Sequence, residues 1–129
     1  MKILVIEPEK APYEKEIGDD IHDMQAIVGG CIEPIYFEPK ETAIAWCNDE
    51  FLLNGSQPNR IVGNVLVHGT FFVSGNYMNE YGEWDSCSLT DEQIEKYSEI
   101  FETPVIVFEQ AEELTEDFEE AEEPKFTMS

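Results

Sequence analysis

Positive charge is what this sequence has least of. Lys and Arg together number 7 against 29 Asp and Glu, a formal net charge of −22, and Arg60 is the lone arginine. A surface that grips nucleic acid or an anionic membrane needs clustered Lys and Arg, so direct binding to either is excluded. Histidine is scarce too, with His22 and His68 alone. The cysteines Cys31, Cys47 and Cys87 are odd in number, widely spaced and form no Cys-x-x-Cys pair. This argues against a disulfide framework and a zinc site, and predicts a reducing compartment. The apolar opening at 1–6 is cut by Glu7, too short for a signal peptide's apolar region or a membrane span. The expectation is a cytoplasmic protein with no membrane partner.

The motifs of catalysis are missing as well. Neither histidine has a nucleophile beside it in sequence: His22 falls on the polar side of a predicted helix, and His68 ends a strand. Phosphate cradles open helices with Gly-rich loops, whereas Gly29-Gly30 closes one. A calcium loop fails at 76–87, because Gly82 would put Tyr77 at its first position. The sequence therefore predicts neither an enzyme nor a cofactor.

Enough apolar residues are present for a core: 42% of the chain, including 8 Phe, 5 Tyr and 2 Trp. A strand is predicted at 2–7, ended by Pro8, with 13–17 placed to pair with it. Asp19-Asp20 supply N-cap chemistry for a short helix with Ile21, Met24, Ile27 and Val28 on one face, stopped at Gly29-Gly30. Strands follow at 31–37 and 42–47. A loop is predicted over 48–60, with turn signals at Asn54-Gly55 and Pro58-Asn59. Ile61-Val62 and the strand at 65–68 flank a Gly63-Asn64 turn, and 71–73 is a buried strand. The polar, aromatic stretch 76–87 is predicted to be an exposed loop. Thr90 and Gln93 form a capping box, with Leu89 and Ile94 as its hydrophobic staple, for a helix over 91–102. Pro104 ends that helix, and 105–108 is predicted to add a last strand. The fold class is α+β: a small mixed or antiparallel sheet with two amphipathic helices packed on it. The domain spans 1–108, and 109–129 is a mobile acidic tail.

That tail does not account for all the charge. Without 109–129, 20 acids against 6 bases leave −14 on the folded body. A body of that size is about 34 Å across, a length over which duplex DNA carries roughly 20 charges. The two are of the same order. Such a field attracts basic surfaces over long range at low salt, although acidic domains also use charge for solubility alone.

Two sets of residues stand out as candidate sites. Tyr77, Tyr81 and Trp84 lie among Glu80, Glu83 and Asp85, aromatic anchors among carboxylates, which suits a basic protein partner. Asn48, Asn54, Asn59, Arg60 and Thr70 form the alternative, amides beside a lone Arg that suit a small polar or anionic ligand such as a nucleotide signal. The plainer account of this second set is that the asparagines shape turns and Arg60 anchors them through a buried carboxylate.

Several stretches resemble the domain of unknown function 3846 family. They are Val5-Ile6-Glu7-Pro8, Ile27-Val28-Gly29-Gly30-Cys31-Ile32-Glu33, Cys47-Asn48-Asp49-Glu50, Leu53-Asn54-Gly55 through Pro58-Asn59-Arg60, Gly69-Thr70-Phe71-Phe72-Val73, and 88–97. The resemblance covers residues 2–102 in consistent order. It departs at Phe51-Leu52, where the family more often has Gly-Lys, and the aromatic stretch 76–84 and the acidic tail lie outside the shared pattern. The resemblance implies a protein of phages, plasmids and conjugative elements, sometimes encoded among antirestriction genes, with no known enzymatic role. The functional expectation is an anti-defence inhibitor of anti-CRISPR or antirestriction type. It would act in the host bacterial cytoplasm by mimicking DNA towards a basic nuclease. Sequestration of a nucleotide signal is the alternative, and a homodimer is left open.

Overall fold

In the computed structural model, residues 1–40 and 42–105 are described. The order of elements is β1 (Lys2–Ile6), β2 (Tyr13–Glu16), α1 (Ile21–Val28), β3 (Ile32–Ile35), β4 (Ala43–Asn48), β5 (Pro58–Val62), β6 (Val65–His68), β7 (Phe71–Met78), β8 (Trp84–Cys87) and α2 (Asp91–Ile100). The strand expected at 105–108 and the acidic tail fall almost wholly outside the described residues.

A continuous apolar run forms a strand only where both faces are covered, and β1 and β7 are those strands. Ile3 to Ile6 are buried, as are Phe71 through Gly75. They lie at the centre of a sheet ordered β2-β1-β7-β4-β3, and every pairing in it is antiparallel. The edges carry the residues that edges tolerate. β2 reads Tyr-Glu-Lys-Glu, exposed throughout, and β3 contains Pro34.

The period of two along β1 sends alternate residues to two separate cores. Leu4 and Ile6 join Val73, Leu89, Tyr97 and Phe101 on the face covered by α2 and by the separate β5–β6 ribbon. Ile3 and Val5 join Phe72 and Met24 on the face covered by α1. Each cap follows the local chemistry. Asp20 accepts from the backbone N–H of His22 at the start of α1, and Gly29 ends it at φ 81°. Thr90 and Gln93 close their capping box on α2, while Leu89 and Ile94 both pack on the first core. Phe37 meets Tyr97 and Phe101 edge-on, with centroids 5.5 and 5.6 Å away.

β3 is shorter than the predicted 31–37, β4 is shifted by one residue and α2 ends at Ile100. Two larger differences from expectation matter for the site. β5 begins at Pro58, so Pro58-Asn59-Arg60 is strand, not loop, with a register irregularity at Asn59. Pro is tolerated at the first position of a strand, and the irregularity turns the Asn59 side chain inward. The stretch 76–87 is not a loop either. β7 runs on to Met78 and pairs with β8, Gly75 facing Cys87 and Met78 facing Trp84. Asn and Gly at 75, 76, 79 and 82 read as turn residues in isolation. The cross-strand hydrogen bonds that overrule them are invisible to local propensity.

Candidate functional site

The β7–β8 hairpin extends past the rest of the sheet. β4 pairs with β7 only as far as Gly75, and Asn76 N–H makes one further bond to Thr42 O at 3.0 Å. On its other edge β7 is shared end to end: β1 pairs with its first half and β8 with its second. Leu89 N–H donates to Lys2 O at 2.9 Å, and Lys2 N–H to Ser88 Oγ at 2.9 Å, which splices the two strands. Outward from there the hairpin is a two-stranded arm. Its tip is tied by Asn79, whose Oδ1 accepts from the N–H groups of Tyr81 and Glu83 at 2.8 and 3.0 Å. Gly82 takes the left-handed conformation this turn requires, at φ 79°.

The arm carries Tyr77, Glu80, Tyr81, Glu83, Trp84 and Asp85 together, and leaves the large apolar groups uncovered. Trp84 is 50% exposed and Tyr81 79%. At the arm's root lies a groove of about 590 Å³, lined by Met24, Trp46, Tyr77 and Trp84, with Asp19 and Asp85 among its walls. A smaller hollow of about 180 Å³ adjoins it, sharing both tryptophans and adding Tyr36. The Trp46 indole is held in place: its Nε1–H donates to Ser74 Oγ at 3.0 Å, and that hydroxyl donates to Gly75 O. Trp46, Tyr36 and Asp19 were not legible as site residues. Alternation along β4 puts Trp46 with Ile44 on one face, but only the pairing of β4, β7 and β8 brings Trp46 into a groove with Trp84.

Carboxylates collect at the same end of the sheet. Register sets Glu16 opposite Lys2, and Asp19, Asp20 and Asp23 follow at the start of α1. The hairpin contributes Glu80, Glu83 and Asp85. α2 starts there with Asp91 and Glu92, its N-terminus joined to Lys2 through Leu89. The cations present are few. Lys2 Nζ sits 2.7 Å from Asp91 and 4.0 Å from Glu14, and the terminal amine 3.7 Å from Glu16. The bond from Lys2 holds the Asp91 carboxyl below the usual range and raises Lys2 in turn. The backbone N–H of His22 lowers Asp20. Among the described residues, no Lys, Arg or His pairs with Asp19, Asp23, Glu80, Glu83 or Asp85. The opposite end also has acids (Glu7, Glu9, Asp49, Glu50, Glu102), and there Lys10 pairs with Glu7 at 3.1 Å.

The second candidate set is divided. Asn59 and Arg60 are 0% and 2% exposed and point into the structure. Asn59 Nδ2 donates to Ile6 O and Gly69 O at 2.9 and 2.8 Å. Arg60 donates to Phe101 O, Asn59 Oδ1 and Lys10 O at 2.7, 2.7 and 2.6 Å. The carboxylate partner expected for it is replaced by these oxygens; no Asp or Glu among the described residues forms an ion pair with it. Asn48 bridges α1 to the loop after β4, donating to Val28 O at 3.2 Å and accepting from Glu50 N–H at 2.7 Å. Asn54 is exposed and accepts from Ser56 N–H and Ser56 Oγ–H. Asn48 and Thr70 do share a polar hollow of about 370 Å³, with Ser56, His68 and Gly69. Arg60, the one cation of the set, does not line it.

Among the described residues, no group of three or more His, Cys, Asp and Glu is placed to hold a metal ion. Cys47 lines an apolar groove beside Phe51, Leu52 and Leu53, and burial pushes its thiol up to about 11, away from the reactive thiolate. No helix of the described residues is long and apolar enough to cross a membrane.

An antiparallel sheet with a helix on each face, extended by an acidic and aromatic arm, makes this chain a small α+β protein. It belongs to the DUF3846 family, a domain of unknown function, whose model matches residues 1–102. No curated protein and no solved structure matches the chain. The family match spans both helices and all the strands described above, the β7–β8 arm included.

Proposed function

We propose that this protein is an anti-defence inhibitor of a mobile genetic element, acting by binding a basic, nucleic-acid-binding nuclease of the host. The observation that carries the reading is the end of the sheet around the β7–β8 arm, where Asp19, Asp23, Glu80, Glu83 and Asp85, which form no ion pair among the described residues, lie with exposed aromatic side chains. Each half of that pattern has a physical use. Carboxylates form charge-assisted hydrogen bonds with Arg and Lys, as phosphate oxygens do. A net charge of −22 steers the chain toward a positive channel from beyond contact distance. Exposed Trp and Tyr then supply the desolvated anchors that dominate interface energies. Solubility alone accounts for scattered carboxylates but not for aromatic groups left open among them.

The test is capture of host proteins on the immobilised chain at about 50 and 200 mM salt, followed by identification and an inhibition assay on the retained nuclease. The expected result is a nuclease that is bound and inhibited at the lower salt and released at the higher. Neutralising the arm (Glu80→Gln, Glu83→Gln and Asp85→Asn together) should abolish capture. Neutralising Glu7, Glu9 and Glu50 at the opposite end should spare most of it. Equal losses from both triple variants, or binding that ignores salt, would reject a directed acidic surface.

A further inference from the structure

We infer that the groove at the root of the arm is a cage for a single arginine side chain of the partner, an assignment that rests on the reading just given and specifies its recognition chemistry. Both tryptophans of the chain, Trp46 and Trp84, line this groove together with Tyr77. An aromatic face attracts a cation through its ring quadrupole, and indole does so best. The walls include two carboxylates from separate elements, Asp19 ahead of α1 and Asp85 on β8. Asp85 Oδ2 accepts from Asn79 Nδ2 at 2.9 Å, which orients the carboxylate. No described cation neutralises either group. Ile21, Met24 and Ile32 add apolar surface suited to an aliphatic stem, and Met1 and Ser86 complete the lining. The Met1 ammonium is engaged by Ile17 O at 2.6 Å and Glu16 at 3.7 Å. Aromatic planes, carboxylates and an apolar floor in one groove match one side chain in all three respects.

The match is to Arg more than to Lys. A guanidinium is planar, weakly hydrated and stacks on aromatic faces, whereas an ammonium holds its water tightly. A second copy of this chain cannot be the donor. Its lone arginine is Arg60, buried in its own core on three oxygens. The occupant therefore comes from a different, basic protein.

The experiment uses the full chain and two fluorescein-labelled peptides of equal charge, one built on Gly-Arg repeats and one on Gly-Lys repeats, followed by anisotropy at fixed moderate salt. The Arg peptide is expected to bind severalfold more tightly and to change the intrinsic tryptophan emission, since both indoles line the groove. Trp84→Ala and Asp85→Asn are each expected to weaken Arg-peptide binding by roughly tenfold. Glu95→Gln, an exposed control on α2, should leave it unchanged. Equal affinity for the two peptides, undiminished by Trp84→Ala, would overturn the cage. That failure is separable from failure of the wider proposal. If the triple arm variant still releases the nuclease while the peptides are not distinguished, only the cage is lost. If the Arg peptide is preferred and Trp84-dependent but no basic protein is captured, the cage stands and the anti-defence reading falls.

Discussion

Arg60 carries its charge into the core, and no carboxylate among the described residues meets it. Taking an ion out of water costs several kcal/mol, and the cost is recovered only when every donor finds an acceptor. Here the guanidinium reaches the end of α2 through Phe101 O, the loop after β1 through Lys10 O, and its neighbour Asn59. Burial pushes its pKa below the ordinary value, but a guanidinium remains charged. Asn59 meanwhile ties β1 to the β6–β7 turn, and its own carbonyl accepts from Val105 N–H at 3.0 Å. The pair is a structural hub joining segments far apart in sequence. Arg60→Ala should therefore destabilise the fold by about 3–5 kcal/mol, as buried carbonyls lose their donors and a cavity opens. Urea denaturation would show it. Arg60→Lys should recover little, because an ammonium lacks the planar spread to reach three oxygens. A variant of near wild-type stability would mean that Arg60 is free for a ligand after all.

Among the elements, β7 decides the most. Its first half is buried between β1 and β4, and its second half leaves them to form the arm with β8. The changeover falls at Gly75, where a Cβ would lie 2.8 Å from Cys87 Sγ, 2.8 Å from Ser88 O and 3.0 Å from Cys87 O. Two of these are backbone atoms of the facing strand, which cannot step aside as a long side chain can. Gly75→Ala should cost about 1–3 kcal/mol through forced displacement. Because the displaced strand is β8, it should also raise amide exchange across 84–87 more than across β1. Uniform exchange protection would indicate that the arm is not hinged on this close approach. α2 contrasts with β7 in having its start written locally, by the reciprocal Thr90 and Gln93 bonds at 3.1 and 2.9 Å.

For the molecule as a whole, charge has opposite consequences for stability and for binding. A body with −14 in residues 1–108 repels itself, and folding brings those carboxylates closer than the unfolded chain does. Screening shortens the reach of that repulsion from about 30 Å at 0.01 M salt to about 3 Å at 1 M. The thermal midpoint is therefore expected to rise by several degrees over this range, while capture of a basic partner falls. Scanning calorimetry at the two salt concentrations checks the first half. A midpoint that drops with salt would show that attractive pairs such as Lys2 with Asp91 outweigh the repulsion.

What the sequence determined by itself was whatever depends on near neighbours. The caps of both helices, the buried character of β1 and β7, the α+β class and the acidic surplus all follow from residues a few positions apart. The family resemblance carried by short motifs belongs with these, and the match over residues 1–102 establishes it. Tertiary structure alone decided the rest. It converted the stretch 76–87 from an expected loop into paired strands, because the hydrogen bonds that hold β7 to β8 outweigh the turn preferences of Asn and Gly. It drew Asn59 and Arg60 inward and broke up the second candidate set, because a register irregularity has no local signature. It also brought Trp46 to Trp84, and Asp19 to Asp85, across gaps of dozens of residues. Sequence order carries no record of such distances in space; the pairing of β4, β7 and β8 in one sheet, with α1 packed on its face, creates them.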